Sequence, residues 1–319
     1  MEGTWLTQLQ MLQHHEVQDL AWAVFSPPLL ENLPELPQLM VPDDEKILWQ
    51  WLTQLDQAPA ALQAHLTRQP RRLGLYFEAL WQFLLLEAPL CNQNPTLLAH
   101  NFPVYQQLAK GRKTVGAFDF ILQSGAHYLP LEITVKFYLG VPARESFAGD
   151  WQAWPGPDSR DSAAGKFQHL AQHQLQLANS EIGKALLQQT FPELSPAPAR
   201  CIIKGYFFYP AVGEINPPQY AHPGHLRGQW WYAEHFLRAA PESRFVFLPK
   251  AHWLAPAIAA ENDTKNKADL WQGLVAAGQH RFPVMLAEMQ RSGDRWHECK
   301  RHCIVPDYWP GTATPSLNK

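Results

Sequence analysis

Cysteine is scarce in this sequence: four residues of 319, Cys91, Cys201, Cys299 and Cys303. That is too few, and too unevenly spaced, for a disulfide framework, so the thiols are expected to be reduced. No stretch is apolar for the roughly 20 residues that a membrane-spanning helix needs, which argues against a membrane partner. No lysine or arginine precedes Lys46. The positively charged start of a secretion signal is therefore missing, and the chain is expected to be cytoplasmic. A glycine-rich phosphate loop, a nucleophile elbow, a Ser/His/Asp arrangement, an internal repeat and a low-complexity tract are all absent, which narrows the enzyme options.

What is present is a globular composition, with 46% hydrophobic and 17% charged residues, in a chain long enough for one large or two ordinary domains. The net charge of −3 hides an uneven distribution. Residues 1–45 hold eight acidic side chains and no Lys or Arg, so the other 274 carry 26 basic and 21 acidic groups, a balance of +5. This permits phosphate contacts without demanding them.

Apolar spacing predicts a helix over 5–25, ended by the prolines that follow, and a second over 43–56 capped by Asp43 or Asp44. The most strongly helical stretch is 71–87, with Leu73, Phe77, Leu80, Trp81 and Leu84 as its buried stripe and Glu78 at the stripe's edge. Three strands follow between about 97 and 140. After a Pro/Gly-rich loop, Asp161 can cap a helix running to about 178, with Lys166 at the edge of its packed face and Gln174 within it. CIIKGYFFYP (201–210) is a fourth strand. Residues 211–225 suit a linker or ordered loop, and 226–319 a further α/β portion. The expected division is an N-terminal helical segment (1–65), a core (66–210) and a C-terminal α/β extension (211–319).

In the second and third strands, GAFDFILQSGAHYLPLEITVKFYLG (116–140), alternation puts Glu132, Thr134, Lys136 and Tyr138 on one face and Leu131, Ile133, Val135, Phe137 and Leu139 on the other. If Gly125 and Ala126 form a two-residue loop, cross-strand partners have numbers summing to 251, which sets Asp119 opposite Glu132. Like charges opposite one another destabilise a ladder by some tenths of a kcal/mol. A divalent cation would supply a reason to place them there. The alternative is a solvated outer face, where charges are ordinary.

Helix, three-strand meander with Asp and then Glu plus Lys, helix, strand is the core order of the PD-(D/E)XK nuclease superfamily, which this chain resembles. VQDLAWAVFSPPLL, RLGLYFEALWQF, KTVGAFDFIL, LEITVKFYLG and KFQHLAQHQLQL, extended by GYFFYP, GQWW and IVPDYWP, are similar to the successive patterns of an uncharacterised bacterial family placed in that superfamily. The resemblance implies an α/β protein with a restriction-endonuclease-like core and Mg2+- or Mn2+-dependent phosphodiesterase activity on DNA or RNA. It implies that Asp119 and Glu132 bind the metal, that Lys136 helps position or activate the attacking water, and that Glu78 assists. Lys166, His173 and Gln174 fall on the helix over the active face, where they would meet substrate, and Lys166 is the one substitute for Lys136. The chain departs from the pattern in two places. Phe118 stands where a proline is usual. Three residues, not one, separate Glu132 from Lys136, which moves the ammonium group roughly 6–7 Å along the strand; a lysine stem can reach back. The runner-up reading is a non-catalytic module that keeps the fold and binds nucleic acid or a protein partner.

HECKRHC (297–303) invites a zinc reading through His297, Cys299, His302 and Cys303. As a strand it would hold its two cysteines roughly 13 Å apart, too far to share one ion. RQPRR (68–72) and KGRK (110–113) are short basic runs that could guide a polyanion or merely be solvated.

Overall fold

A computed structural model describes residues 4–39, 45–67, 72–89 and 96–310. The proposed caps Asp43 and Asp44, residues 68–71 of the first basic run, and Cys91 lie outside the described residues. The protein is a mixed α/β chain that divides into two compact units, one of residues 1–135 with 167–204 and the other of 136–166 with 205–319.

In the first unit the expected helix over 5–25 is two helices, α1 (Thr4–Met11) and α2 (His15–Phe25). The break has a long-range cause. The N–H groups of Gln13 and His14 donate to the Asp56 carboxylate at 2.8 and 2.9 Å, so the α2 N-terminus is satisfied by a side chain 42 positions away. Asp56 itself belongs to α3 (Glu45–Gln57), which α4 (Ala60–Thr67) and α5 (Leu73–Glu87) follow. Helix α2 is buried along its length from Val17 to Val24, including Gln18 and Asp19. Asp19 accepts from Tyr76 Oη of α5 at 2.8 Å, and burial followed by this carboxylate pushes the phenol's pKa well up. Trp22 meets Phe77 edge-on at 6.3 Å.

Strands β1 (Thr96–Gln107), β2 (Arg112–Ser124) and β3 (His127–Leu139) form the expected meander. Gly125 has φ +59° and Ala126 does not share the positive φ, as a two-residue II′ hairpin loop requires. The register follows from the loop: Ser124 pairs with His127, Leu122 with Leu129, Phe120 with Leu131. Two-residue β4 (Ser195–Pro196) joins β3 in parallel. Helix α6 (Ala163–His169) begins in the second unit and continues into the first as a π-helical segment, Leu170–Gln174. Further on, α7 (Glu181–Thr190) packs Leu187 against Val104, Phe118, Ile121 and Tyr128.

Strand β5 (Arg200–Pro210) starts in the first unit. There Lys204 is buried, and its Nζ donates to the carbonyls of Ser26 and, at 3.3 Å, Val24. It thus closes the C-terminal end of α2, a place suited to a cation. Burial nevertheless pushes its pKa down to about 7. An unfolded lysine titrates near 10.4, so above pH ~7 the unfolded chain binds one proton more and stability rises with pH. Burial raises the thiols of Cys201 and Cys303; above the unfolded thiol value of about 8.5 the unfolded chain loses these protons first, and the slope reverses. Urea denaturation should therefore show stability rising by about 1 kcal/mol from pH 7 to 8.5 and then falling. Lys204→Met should flatten the rise, and an unchanged profile in that variant would exclude the lysine as its source.

In the second unit β5 pairs in parallel with β6 (Leu226–Tyr232), and β6 in parallel with β11 (Arg295–Val305). After β6 come α8 (Ala233–Ala239), β7 (Arg244–Leu248), β8 (Ile258–Ala259), β9 (Lys265–Asn266), α9 (Lys267–Ala276) and β10 (Val284–Ser292). Antiparallel pairs β11–β10, β10–β7 and β7–β9 complete a mixed sheet, with β8 against β11. Helices α8 and α9 bury Phe236, Leu270 and Leu274 against Trp231, Phe245, Leu286 and Ile304 of the strands.

Candidate functional site

The β2–β3 ladder changes character one step beyond the Phe120–Leu131 pair. Where Asp119 and Glu132 would come next, backbone pairing gives way to side chains: Asp119 N–H donates to Glu132 Oε1 at 3.4 Å, and Ile133 N–H donates to Asp119 Oδ2 at 3.0 Å. Each carboxylate thus accepts the hydrogen that a strand carbonyl would ordinarily take. The strands part there with both carboxylates between them. Glu132 is only 2% exposed, so the solvated-face alternative does not hold for it. Strand β3 is covered on both faces: Leu131, Ile133 and Val135 are buried, and so are Glu132 and Tyr138.

The cover over Glu132 is the π-helical segment. Leu175 N–H donates to Leu170 O at 3.0 Å, an i to i−5 bond, and this wider turn accompanies Gln174 Nε2 donating to Glu132 Oε2 at 2.8 Å. Insertions of this kind recur at functional sites. Gln174, expected within the packed face and in reach of substrate, is the amide that donates to the buried carboxylate.

The other expected site residues are distributed as follows. Glu78 is half-buried on α5. Among the described residues no group of three or more His, Cys, Asp or Glu is arranged to hold a metal ion, so Glu78 does not join Asp119 and Glu132 in one. His173 is exposed, its ring 5.0 Å from that of His169. Lys166 is half-buried on α6. Lys136 belongs to the second unit, where its Nζ forms an ion pair with Asp161. The expected capping role of Asp161 passes to Ser162, whose Oγ accepts from Gly165 N–H at 3.2 Å. Adjacent Asp and Ser are both good caps, and the lysine's demand for a carboxylate decides between them.

The donor set suits Mg2+, which takes hard oxygen ligands and keeps several waters. A carboxylate has about four lone-pair directions, so accepting backbone and amide hydrogens is compatible with ligating a cation. The protein would contribute Asp119 and Glu132, leaving the remaining positions to water and phosphate oxygens.

The second unit uses HECKRHC structurally. The segment is strand β11, with Cys303 buried and Cys299 exposed, both free thiols like Cys201. Arg301 is 2% exposed. It donates to Glu298 at 2.7 and 2.8 Å, to the carbonyls of Leu254 and Ala255, and to that of Trp253. Its guanidinium lies 4.6 Å over the Tyr206 ring. Trp231 Nε1 donates to His302 Nδ1 at 3.1 Å, which leaves Nε2 to donate to Glu288 at 3.0 Å. That bond leads the causes holding the Glu288 carboxyl below its usual range. Sequence pattern does not announce this network, because its carbonyl acceptors come from an irregular loop some 47 positions away.

A family model described as "Domain of unknown function (DUF1853)" matches residues 18–305. The chain belongs to that family. No curated protein and no solved structure matches it. In this DUF1853 protein no helix among the described residues is long and apolar enough to cross a membrane.

Proposed function

We propose that this protein is a Mg2+-dependent phosphodiesterase acting on DNA or RNA, with a restriction-endonuclease-like core of the PD-(D/E)XK type and Asp119 and Glu132 as its metal ligands. The observation that carries the reading is the apposition of two carboxylates at the point where β2 and β3 part. A bound Mg2+ supplies an acidified water and offsets charge building on the phosphate. The protein's part is to hold its ligands. Backbone N–H groups of Asp119 and Ile133 and the Gln174 amide fix the carboxylates before any ligand arrives, which is the pre-organisation such a site needs. Cys, His and Ser nucleophiles have no place in this scheme.

The Lys136–Asp161 ion pair favours a second reading, a module that binds nucleic acid or a protein partner without cutting it. The two are separated by incubating purified protein with single-stranded and duplex DNA and RNA in Mg2+ or Mn2+. Cleavage that EDTA abolishes is the expected result, and Lys136→Met should lower its rate about 100-fold while leaving cation affinity intact. Binding without cleavage would establish the second reading, and full activity in Lys136→Met would remove that lysine from the mechanism.

A further inference from the structure

The β1–β2 hairpin extends beyond the core that roots it. Val104 is buried and Gly116 half-buried, whereas every residue from Tyr105 to Val115 is exposed. Tyr105 pairs with Thr114, Gln106 with Lys113 and Gln107 with Arg112, and Leu108 N–H donates to Gly111 O at 3.0 Å to close the turn, where Gly111 has φ +83°. The register shifts between Val104 and Tyr105: Val104 faces Gly116 but Tyr105 faces Thr114, leaving Val115 as an extra residue. A bulge of this kind bends a ribbon and increases its twist. The arm therefore has a defined root, and beyond it both faces are open.

Its chemistry is one-signed. Residues 96–118 contain no Asp or Glu, while Lys110, Arg112 and Lys113 cluster at the tip. Arg112 and Thr114 share the Tyr105 face, and the Arg112 guanidinium stacks 4.1 Å over the Tyr105 ring. Lys113 alternates to the opposite face beside Gln106, and Lys110 lies in the turn. Among the described residues none of the three cations forms an ion pair. Edge-exposed cations commonly discourage strand pairing, but three on eleven exposed residues, on both faces and with no acid between them, exceed what a two-stranded tip needs.

We infer that this arm, Tyr105 to Val115, grips duplex DNA, entering its major groove and setting Lys110, Arg112 and Lys113 against the phosphates on either side. The dimensions agree: the free part of the ribbon reaches roughly 10–14 Å, and the major groove of B-form DNA is about 12 Å wide and 8.5 Å deep and admits a two-stranded ribbon. Duplex RNA does not fit, because its major groove is too narrow for side chains to enter. Gln106 and Gln107 can meet base edges, and the cations set affinity and register. The inference rests on the nucleic-acid reading of the carboxylate pair for its choice of polymer, and it adds which polymer is bound and by what.

The test is fluorescence anisotropy on a labelled 30-base-pair duplex in EDTA, where no cation at the carboxylates contributes, across a range of salt concentrations. Lys110→Gln, Arg112→Gln and Lys113→Gln combined should bind more weakly, with the slope of log K against log salt shallower by about 2.7, the value for three lost phosphate contacts. Circular dichroism and thermal melting that match the wild type show that the variant is folded. An unchanged slope, no duplex binding by the wild type, or tighter wild-type binding to single strands with the same slope change would each overturn the proposal. So would a variant that loses only binding to phosphatidylserine vesicles. Hydrolysis of bis(p-nitrophenyl) phosphate by wild-type protein in Mn2+ tests the carboxylate site by itself, so the two readings fail separately.

Discussion

Asp119→Asn should abolish Mg2+-dependent cleavage and weaken Mn2+ binding by at least about 100-fold, while the protein still folds. Substitutions one shell removed from a metal commonly cost 10- to 100-fold in affinity or activity, and loss of a direct ligand costs no less. The substitution suits the test because the Asn side-chain carbonyl can still accept the Ile133 N–H that Asp119 Oδ2 now accepts. The link between the parting strands therefore survives, and only the charge and the ligand are lost. Calorimetric titration with Mn2+ gives a readout that does not depend on knowing the substrate. Wild-type-like Mn2+ affinity in the variant would mean that no cation is held at this pair.

Gly205→Ala should be the most destabilising single methyl group in the second unit, costing more than about 4 kcal/mol or preventing soluble expression. A Cβ at this position would lie 1.7 Å from the backbone oxygen of Lys136 and 2.7 Å from its carbonyl carbon, and Gly205 has φ +140°. Only glycine is comfortable in that region, and the obstruction is backbone, which cannot swing aside as a side chain can. Gly205 therefore brings β5 close to the residue that carries the proposed catalytic lysine. Urea denaturation compared with Gly74→Ala, where an added Cβ meets nothing within 4 Å, separates the clash from a general effect of removing glycine. A Gly205→Ala protein of wild-type stability would refute the close approach.

The parts of the fold that are legible in the sequence are those decided locally. Helix α5 shows its stripe, and the β2–β3 register follows from a two-residue loop with Gly at the position needing positive φ, which is enough to set Asp119 against Glu132. Three features depend on distant partners and are not legible. The break between α1 and α2 is made by Asp56; the capping role falls to Ser162 because Lys136 engages Asp161; and the buried Lys204 looks like an ordinary strand lysine until the end of α2 covers it. The helix expected from a cap at Asp161 to about 178 starts one residue later, winds regularly only to His169 and then changes phase. A wheel drawn at 3.6 residues per turn cannot show a turn that closes from Leu175 to Leu170.

That wide turn has a further consequence. A π turn is an α-helix that has taken in one residue too many, and everything beyond it is rotated by roughly 100° relative to the helix before it. Which side chain meets Glu132 is thus set by chain length as well as by residue identity. Removing a single residue from Leu170–Gln174 would restore regular winding and carry Gln174 off the carboxylate without replacing any atom of the site itself. Insertion and deletion, events usually associated with loops, therefore act here as a means of rewiring the interior, and a family member one residue shorter in this segment would present a different group to its buried acid.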